Sequence, residues 1–235
     1  MLRKRWCWPI SRPKNRPMHP DSGVVALTPV VLLGVDGPDI PKRPASGDAA
    51  AWTRWRQRFW AAIGVAAVDV PDGMHIAVRA IQSDRLLDAV IDYAVECAHE
   101  SGGFAPYTDG GVVVQYRDEV IVSPDCSDLE EGLDDWLAVL RGRPEVWATV
   151  HNGHRVGMAR VVNDVIELRL EQPVDGDAIL GPFVTVQLPR DPVAAAAEVA
   201  INERNEFSRR LESRLRQRGW RDARTVAATI AGTQG

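Results

Sequence analysis

The chain has 235 residues, of which 45% are hydrophobic and 26% charged, and its formal net charge is −4. This is the composition of an ordinary globular protein of one or two domains, long enough to bury a core. No run of 18 apolar residues occurs, so no membrane-spanning helix is predicted. The three cysteines, Cys7, Cys97 and Cys126, have no paired spacing, which argues against a disulfide framework and favours a reducing, cytoplasmic environment.

Residues 1–47 are expected to form a disordered basic tail. Eight prolines fall between Pro9 and Pro44, and proline disfavours both a long helix and a central strand. The alternatives are an arm that contacts nucleic acid or an acidic membrane, or sequence that precedes a true start at Met74. Residues 48–73 are predicted to form an amphipathic Trp-rich helix and a linker. That helix would either dock on the domain or lie on a membrane surface.

From residue 74 to 220 the hydrophobic pattern predicts one α+β domain. Ser83 is expected to cap its first helix, and Ser127 with Glu130 to begin its second at capping-box spacing. The predicted elements in chain order are strand 75–81, helix 83–100, strands 112–116 and 120–123, helix 127–140, three strands joined by turns at 152–153 and 163–164, strand 183–188 and helix 191–218. This order fits an antiparallel β-meander sheet with helices packed on one face. Residues 221–235 are expected to form a flexible C-terminal tail.

The dipeptide Asn152-Gly153 between two β-patterned runs is typical of a two-residue type I′ hairpin turn. That turn would place His151 opposite His154. A second turn at Asn163-Asp164 would then continue the meander. Together the two registers predict a cross-strand charge ladder on one face of the sheet, formed by Glu145, Arg160 and Glu167.

Negative charge is concentrated in residues 74–175, which hold 19 acidic residues and 8 arginines, a net charge of −11. The carboxylates assigned to a partner-binding surface are Asp84, Asp88, Asp92 and Glu96 on the first helix and Asp128, Glu131, Asp134 and Asp135 on the second. Like charges one turn apart repel by roughly a few tenths of a kcal/mol per pair, so their repetition favours a surface that binds a basic protein partner. The alternative is a solvated face that keeps the chain soluble. Pairing with the arginines of the final helix would remove the argument for a partner.

Other chemistry has weaker support in the sequence. His151 and His154 are weak candidates for two zinc ligands, with Cys126 or an acid completing the site; the alternative is a surface pair at an exposed turn. Cys126 is also a candidate nucleophile near a helix N-terminus, although its acidic neighbours disfavour a thiolate. No phosphate-loop or dinucleotide pattern occurs, so neither a cofactor nor a catalytic residue is predicted. Arginines of the final helix alternate with glutamates, which does not favour nucleic-acid binding.

The segment from Ile121 to Leu129, followed by Trp136 and the Val146-Trp147 pair, resembles small bacterial domains with a strand-Pro-x-Cys-x-Asp-Leu…Trp pattern. Some of those domains resemble immunity proteins of polymorphic toxin systems. The resemblance implies a non-enzymatic role, the stoichiometric binding of a toxin. It agrees with the acidic surface, since complementary charge would capture a basic toxin.

A second resemblance is to the GCN5-type acetyltransferases. Residues Met74 to Leu87 are similar to the opening strand and helix of that family, and the Asn152-Gly153 hairpin is similar to its central hairpin. The family holds the acetyl-CoA pyrophosphate with an R-x-x-G-x-G/A loop, whereas residues 171–177 read Glu-Gln-Pro-Val-Asp-Gly-Asp. As an alternative function, the resemblance implies an acetyltransferase-like enzyme without a clear pyrophosphate loop.

Overall fold

The computed structural model describes residues 23–32, 51, 54–55, 58, 61–62, 75–100, 102, 105–124, 128–152, 155–171 and 183–233. Within these ranges the chain forms two antiparallel four-stranded sheets and four α-helices with described bounds. The predicted α+β class is therefore confirmed, with two sheets in place of one.

The strands of the first sheet are β1 (Val25–Leu32), β2 (His75–Ala77), β3 (Gly110–Tyr116) and β4 (Glu119–Val122), in the order β2-β1-β3-β4. Those of the second sheet are β5 (Ala148–Asn152), β6 (Arg155–Val162), β7 (Val165–Glu171) and β8 (Phe183–Pro189), in sequential order. The helices are α1 (Asp84–Glu100), α2 (Leu129–Arg141), α3 (Arg190–Gln217) and α4 (Ala223–Ala231). A 3₁₀ turn, Val78–Ala80, follows β2 where the sequence predicted that the strand would continue.

Two hydrophobic clusters hold these elements together, and α3 belongs to both. In the first cluster, the inward face of the second sheet packs with Trp136 of α2, with Ala197 of α3 and with the Val25 end of the first sheet. In the second cluster, Phe207 and Leu211 of α3 pack with α1, α4 and the β2 end of the first sheet. Small residues in the first half of α3 allow a close approach, and large ones in its second half fill a wider space.

The expected disorder of residues 1–47 is wrong for residues 25–32. These residues form β1, which pairs with β3 along seven residues and with β2 along three. Leu27 and Val31 are buried to 4% and 0% exposure, so β1 belongs to the core. The domain therefore includes a strand that lies more than forty residues before the predicted boundary at residue 74.

Pro29 sits within β1 without costing a ladder hydrogen bond. The Arg117 N–H donates to the Val24 carbonyl at 3.3 Å, and donors alternate along an antiparallel strand. Position 29 therefore faces away from β3, toward the side of β2. Pairing with β2 begins only at Val30, so Pro29 occupies an edge position within an otherwise central strand. A count of prolines does not reveal such a position.

The C-terminal segment also differs from the prediction of a flexible tail. Residues 223–231 form α4, in which Ala227 and Ile230 are buried against α3 and α1. Gly232 ends the helix in the left-handed conformation, with φ at 61°. A Cβ at this glycine would lie 2.3 Å from the Glu130 backbone nitrogen, so the end of α4 packs directly on the first turn of α2.

The register of the first hairpin differs from the prediction by one turn position. Asn152 pairs with Arg155 and Ala148 with Ala159, so residue 152 belongs to β5 and not to the turn. His151 consequently faces Val156, and the predicted pairing with His154 is wrong. Moving the turn by one residue shifts each cross-strand partner by two positions. Because side chains alternate between the two faces of a sheet every second residue, the predicted faces of the two strands are unchanged. The second register is confirmed, with Arg160 opposite Glu167.

Both predicted helix caps lie within one residue of those observed. Ser83 precedes α1, and its hydroxyl accepts a hydrogen bond from the Leu86 N–H at 3.3 Å. The second cap is Asp128, whose carboxylate accepts from the Glu131 N–H at 2.8 Å. The predicted cap, Ser127, lies outside the described residues. An aspartate at this position also interacts favourably with the helix dipole, which a serine cannot do.

In the predicted Trp-rich helix, the described residues at 51, 54–55, 58 and 61–62 are helical. Trp55 is 7% exposed and belongs to the cluster that contains α1 and Ile76. An Arg85 N–H of α1 donates to the Ala62 carbonyl at 3.0 Å. These contacts support docking on the domain. Trp52, Phe59, Trp60 and Ile63 lie outside the described residues.

Replacement of Leu27 tests the place of β1 in the core. Leu27→Ala should lower the free energy of unfolding by about 2–5 kcal/mol, the usual cost of the cavity left by a buried leucine. Val24→Ala is the matched control, because Val24 is 81% exposed directly before the same strand, and it should change stability by less than about 0.5 kcal/mol. Urea denaturation measures both variants, and an equally small effect in the two would contradict the buried position of β1.

Candidate functional site

Three aspartates of α1, spaced one helical turn apart, meet two arginines at the end of α3. Arg214 holds Asp88 with two hydrogen bonds, from Nη2 to Oδ2 at 2.6 Å and from Nε to Oδ1 at 2.8 Å. Its Nη1 also donates to Asp84 Oδ2 at 3.1 Å. Arg218 donates to Asp92 Oδ1 at 2.8 Å and to Asp88 Oδ1 at 3.5 Å. We call these five side chains the α1–α3 ion ladder.

The ion ladder shifts the pKa values of its central pair, Asp88 and Arg214. Hydrogen bonds from Arg214 hold the pKa of Asp88 below its ordinary value, against the weaker effect of burial, and the positive charges of Arg214 and Arg218 act in the same direction. The hydrogen bond with Asp88 is also the main reason that the pKa of Arg214 is raised. Both groups are therefore held in their charged forms, as expected for a bidentate guanidinium–carboxylate pair.

Three of the carboxylates assigned to a partner-binding surface thus have an intramolecular role. The arginines relieve the repulsion between acids one turn apart along α1, so the repetition of aspartates on α1 is explained by the fold. Asp84 and Asp92 remain 68% and 64% exposed, which means that the ladder lies at the surface. Glu96, the fourth predicted residue of α1, is exposed one turn beyond it.

The acids of α2 have a different environment. Asp128 is the helix cap described above, and its side chain is exposed. Asp134 lies 3.4 Å from the guanidinium of Arg204, whose side chain is only 11% exposed, while Asp134 itself is 54% exposed. Glu131 is exposed and Asp135 is half-buried on the same helix. The structure therefore brings the four predicted residues of α2 to one helix surface that reaches solvent.

Several polar side chains of α3 are partly buried. Arg210 Nη2 donates to the Val78 carbonyl at 2.9 Å, and Glu203 lies 3.6 Å from Arg79. Burial lowers the pKa of Arg210 and raises that of Glu203. These groups attach α3 to the 3₁₀ turn after β2. The alternation of charges along α3 predicts contact with either water or the domain, and the structure shows that the domain is contacted.

The candidate metal and nucleophile sites are not assembled in the described part of the chain. His154 and Cys126 lie outside it, and only the backbone of His151 is described. Among the residues that can be placed, no group of three or more His, Cys, Asp or Glu side chains could hold a metal ion. Cys97 is buried in α1, as the sequence predicted. Its neighbour Tyr93 donates to Asp109 at 3.4 Å, and burial raises the pKa of that phenol.

The outer face of the second sheet carries a cationic and aromatic cluster. Arg160 pairs with Glu167 at 2.6 Å, as predicted. The predicted third member, Glu145, lies outside β5 and donates its backbone N–H to the Val161 carbonyl at 2.8 Å. Trp147 takes its place beside Arg160, with the guanidinium carbons of Arg160 and Arg169 at 4.5 Å and 4.4 Å from its rings. Arg160 therefore makes a cation–π contact with Trp147 where the sequence predicted an ion pair with Glu145.

No protein-family model, no curated protein and no solved structure matches this chain. Among the described helices, none has the length and apolar character needed to cross a membrane. The acetyltransferase resemblance stays a prediction, because residues 172–177, where a pyrophosphate loop would lie, are outside the described ranges.

The ion ladder predicts a pH-dependent contribution to stability. The pKa of Asp88 is lower in the folded chain than in the unfolded chain, so its contribution is fully present above the unfolded value of about 3.9 and is lost as pH falls through the folded value. Asp88→Asn should therefore be less stable than the unmodified chain at neutral pH, and the difference should shrink in acid. Urea denaturation over a pH series measures it.

Glu96→Gln is the matched control for this experiment, since it removes a carboxylate from the same helix outside the ladder. It should leave the free energy of unfolding nearly unchanged at neutral pH. A penalty for Asp88→Asn that persists unchanged below the folded pKa of Asp88 would contradict the role of its charge.

Proposed function

We propose that this chain is a non-enzymatic protein-binding module that captures a basic protein partner through the first half of α2. The supporting observation is the negative charge that the surface of α2 carries. Asp128, Glu131 and Asp134 are exposed there, although Asp134 lies 3.4 Å from Arg204 and both Glu131 and Asp135 have contacts within the chain.

The charge of α2 exceeds what its helical structure requires. Residues 128–135 contain five carboxylates and no basic residue. The cap and the acids of the first turn interact favourably with the helix dipole, but that effect ends within about one turn. Asp134 and Asp135 lie beyond it. Neither position is favoured by the helix itself, and both acids add to the negative potential that a cationic ligand would meet.

Such a surface suits recognition by electrostatic complementarity. Clustered exposed carboxylates accelerate the encounter with a basic surface, and this steering weakens as salt shortens the screening length to about 8 Å at physiological ionic strength. The resemblance of residues 121–129 supports one specific form of this function, an immunity-type inhibitor that binds a basic toxin. The partner would then be a single protein with an Arg- or Lys-rich binding face.

Charge reversal on α2 tests the proposal. Glu131→Lys combined with Asp135→Lys should abolish capture of the basic partner by the full-length chain, because the binding surface loses its negative potential. The partner is isolated by affinity capture from the cells that encode the protein, and its affinity for each variant is then measured by titration calorimetry at low and high salt. Because Glu131 and Asp135 also have contacts within the chain, urea denaturation must first show that the double variant is folded.

Glu119→Lys with Asp164→Lys provides the matched control. It makes the same change in net charge at two exposed residues outside α2, the first residue of β4 and the turn between β6 and β7, and it should retain capture. Equal binding by the two double variants, with both folded as judged by urea denaturation, would refute the assignment to α2. Affinity that does not depend on salt would refute an electrostatic mechanism.

A further inference from the structure

Among the described strands, β8 stands at one end of the second sheet and pairs along one side only. It pairs with β7 in an unbroken register from Glu171–Phe183 to Val165–Pro189. No other strand in the described ranges pairs along its second side. Thr185 and Gln187 are exposed, and Phe183 is 49% exposed.

The alternation of backbone groups shows which residues point along this edge. The Arg190 N–H donates to the Asp164 carbonyl at 2.9 Å, directly beyond the last strand pair. Hydrogen-bonded pairs recur every second residue in an antiparallel ladder, so Val184, Val186 and Leu188 face β7. The N–H and C=O groups of Phe183, Thr185 and Gln187 therefore point outward and are in position to pair with another strand.

Edge strands normally carry features that prevent the addition of a further strand. Two other edge strands of the described sheets, β2 and β4, have such features. β2 is only three residues long, and β4 contains Glu119 and an irregular register opposite β3. Short length, charge and bulges all discourage a further strand. β8 has seven residues and no charged side chain, and its proline occupies the last position.

We propose that β8 pairs with β8 of a second copy of this chain, antiparallel about a two-fold axis at Val186. This register joins Thr185 to Gln187 of the second copy and Phe183 to Pro189 of the second copy, and it uses all outward-facing groups in up to about six backbone hydrogen bonds. Val186 meets its own copy on the apolar face. The result is one continuous sheet shared by two molecules.

The lack of charge is what favours a second copy as the occupant. A two-fold axis pairs the strand with an identical strand, so charges of one sign on it would meet like charges across the pair, which is destabilising. A charged edge strand would therefore oppose self-pairing, whereas Thr185 and Gln187 can hydrogen-bond across the axis in either copy. Recognition of a different protein commonly gains specificity from charged side chains, and β8 has none.

Sedimentation velocity of the full chain over a range of concentrations tests this proposal. The unmodified chain should show a reversible monomer–dimer equilibrium. Thr185→Lys with Gln187→Lys should raise the dissociation constant by at least about tenfold, because the introduced lysines face each other across the axis. Thr185→Lys with Gln187→Glu should restore association, since opposite charges then face each other.

Amide hydrogen exchange supplies an independent readout. Exchange at Thr185 and Gln187 should slow as concentration rises, whereas Val184 and Val186, which already pair with β7, should be protected at every concentration. A chain that stays monomeric at all concentrations would overturn the proposal. So would a dimer whose dissociation constant is the same in both double variants, or outward amides whose exchange is independent of concentration.

Discussion

Burial of α3 along its whole length is the constraint on which the rest of the structure depends. The helix has 28 residues, about 42 Å, and its two halves enter different clusters. Val193, Ala197 and Ala200 pack with the second sheet and α2, while Phe207, Leu211 and Leu215 pack with α1 and α4. Because one rigid element spans both clusters, the two sheets are held in one domain by helix packing and not by strand pairing.

The position of α3 also determines the electrostatics of the surface. Once its apolar stripe is buried, Arg214 and the following Arg218 lie beside the aspartates of α1, and Arg204 lies beside Asp134 of α2. A surface that is strongly acidic in sequence therefore becomes partly neutral on α1, and Arg204 offsets part of the charge on α2. Exposed ion pairs contribute little individually, but a network with a bidentate pair at its centre orients the two helices. The fold thus uses acids of both helices in contacts within the domain.

Local signals predicted the helices and the second sheet because their information lies within a few residues. Ser83 before α1 and Gly219 after α3 mark real helix ends, and Gly219 has a φ of 81°. The alternation around Arg160 correctly assigned the two faces of the meander. It could not distinguish hairpin turns at 152–153 and 153–154, because both place every side chain on the same face.

The features that could not be predicted depend on distant partners. β1 is separated from β3 by nearly eighty residues. Pro29 is compatible with β1 only because β2 is too short to pair with it, and the length of β2 cannot be read from the sequence around Pro29. In the candidate site, the acids of α1 and the arginines after residue 200 were both visible in sequence, but their pairing depends on a packing angle between two helices. Composition therefore identified the charged groups, and only the tertiary structure showed which of them neutralise one another.

Gly232 has a consequence for anything attached near the carboxyl end of the chain. Gly232 lies directly against the backbone nitrogen of Glu130, so a segment fused after Thr233 would begin close to the opening turn of the acidic helix. A cationic segment fused there would be held at high local concentration beside those carboxylates and would occupy them as an internal competitor. A neutral or negative segment would not compete for them, so any segment fused at this end should carry no positive charge.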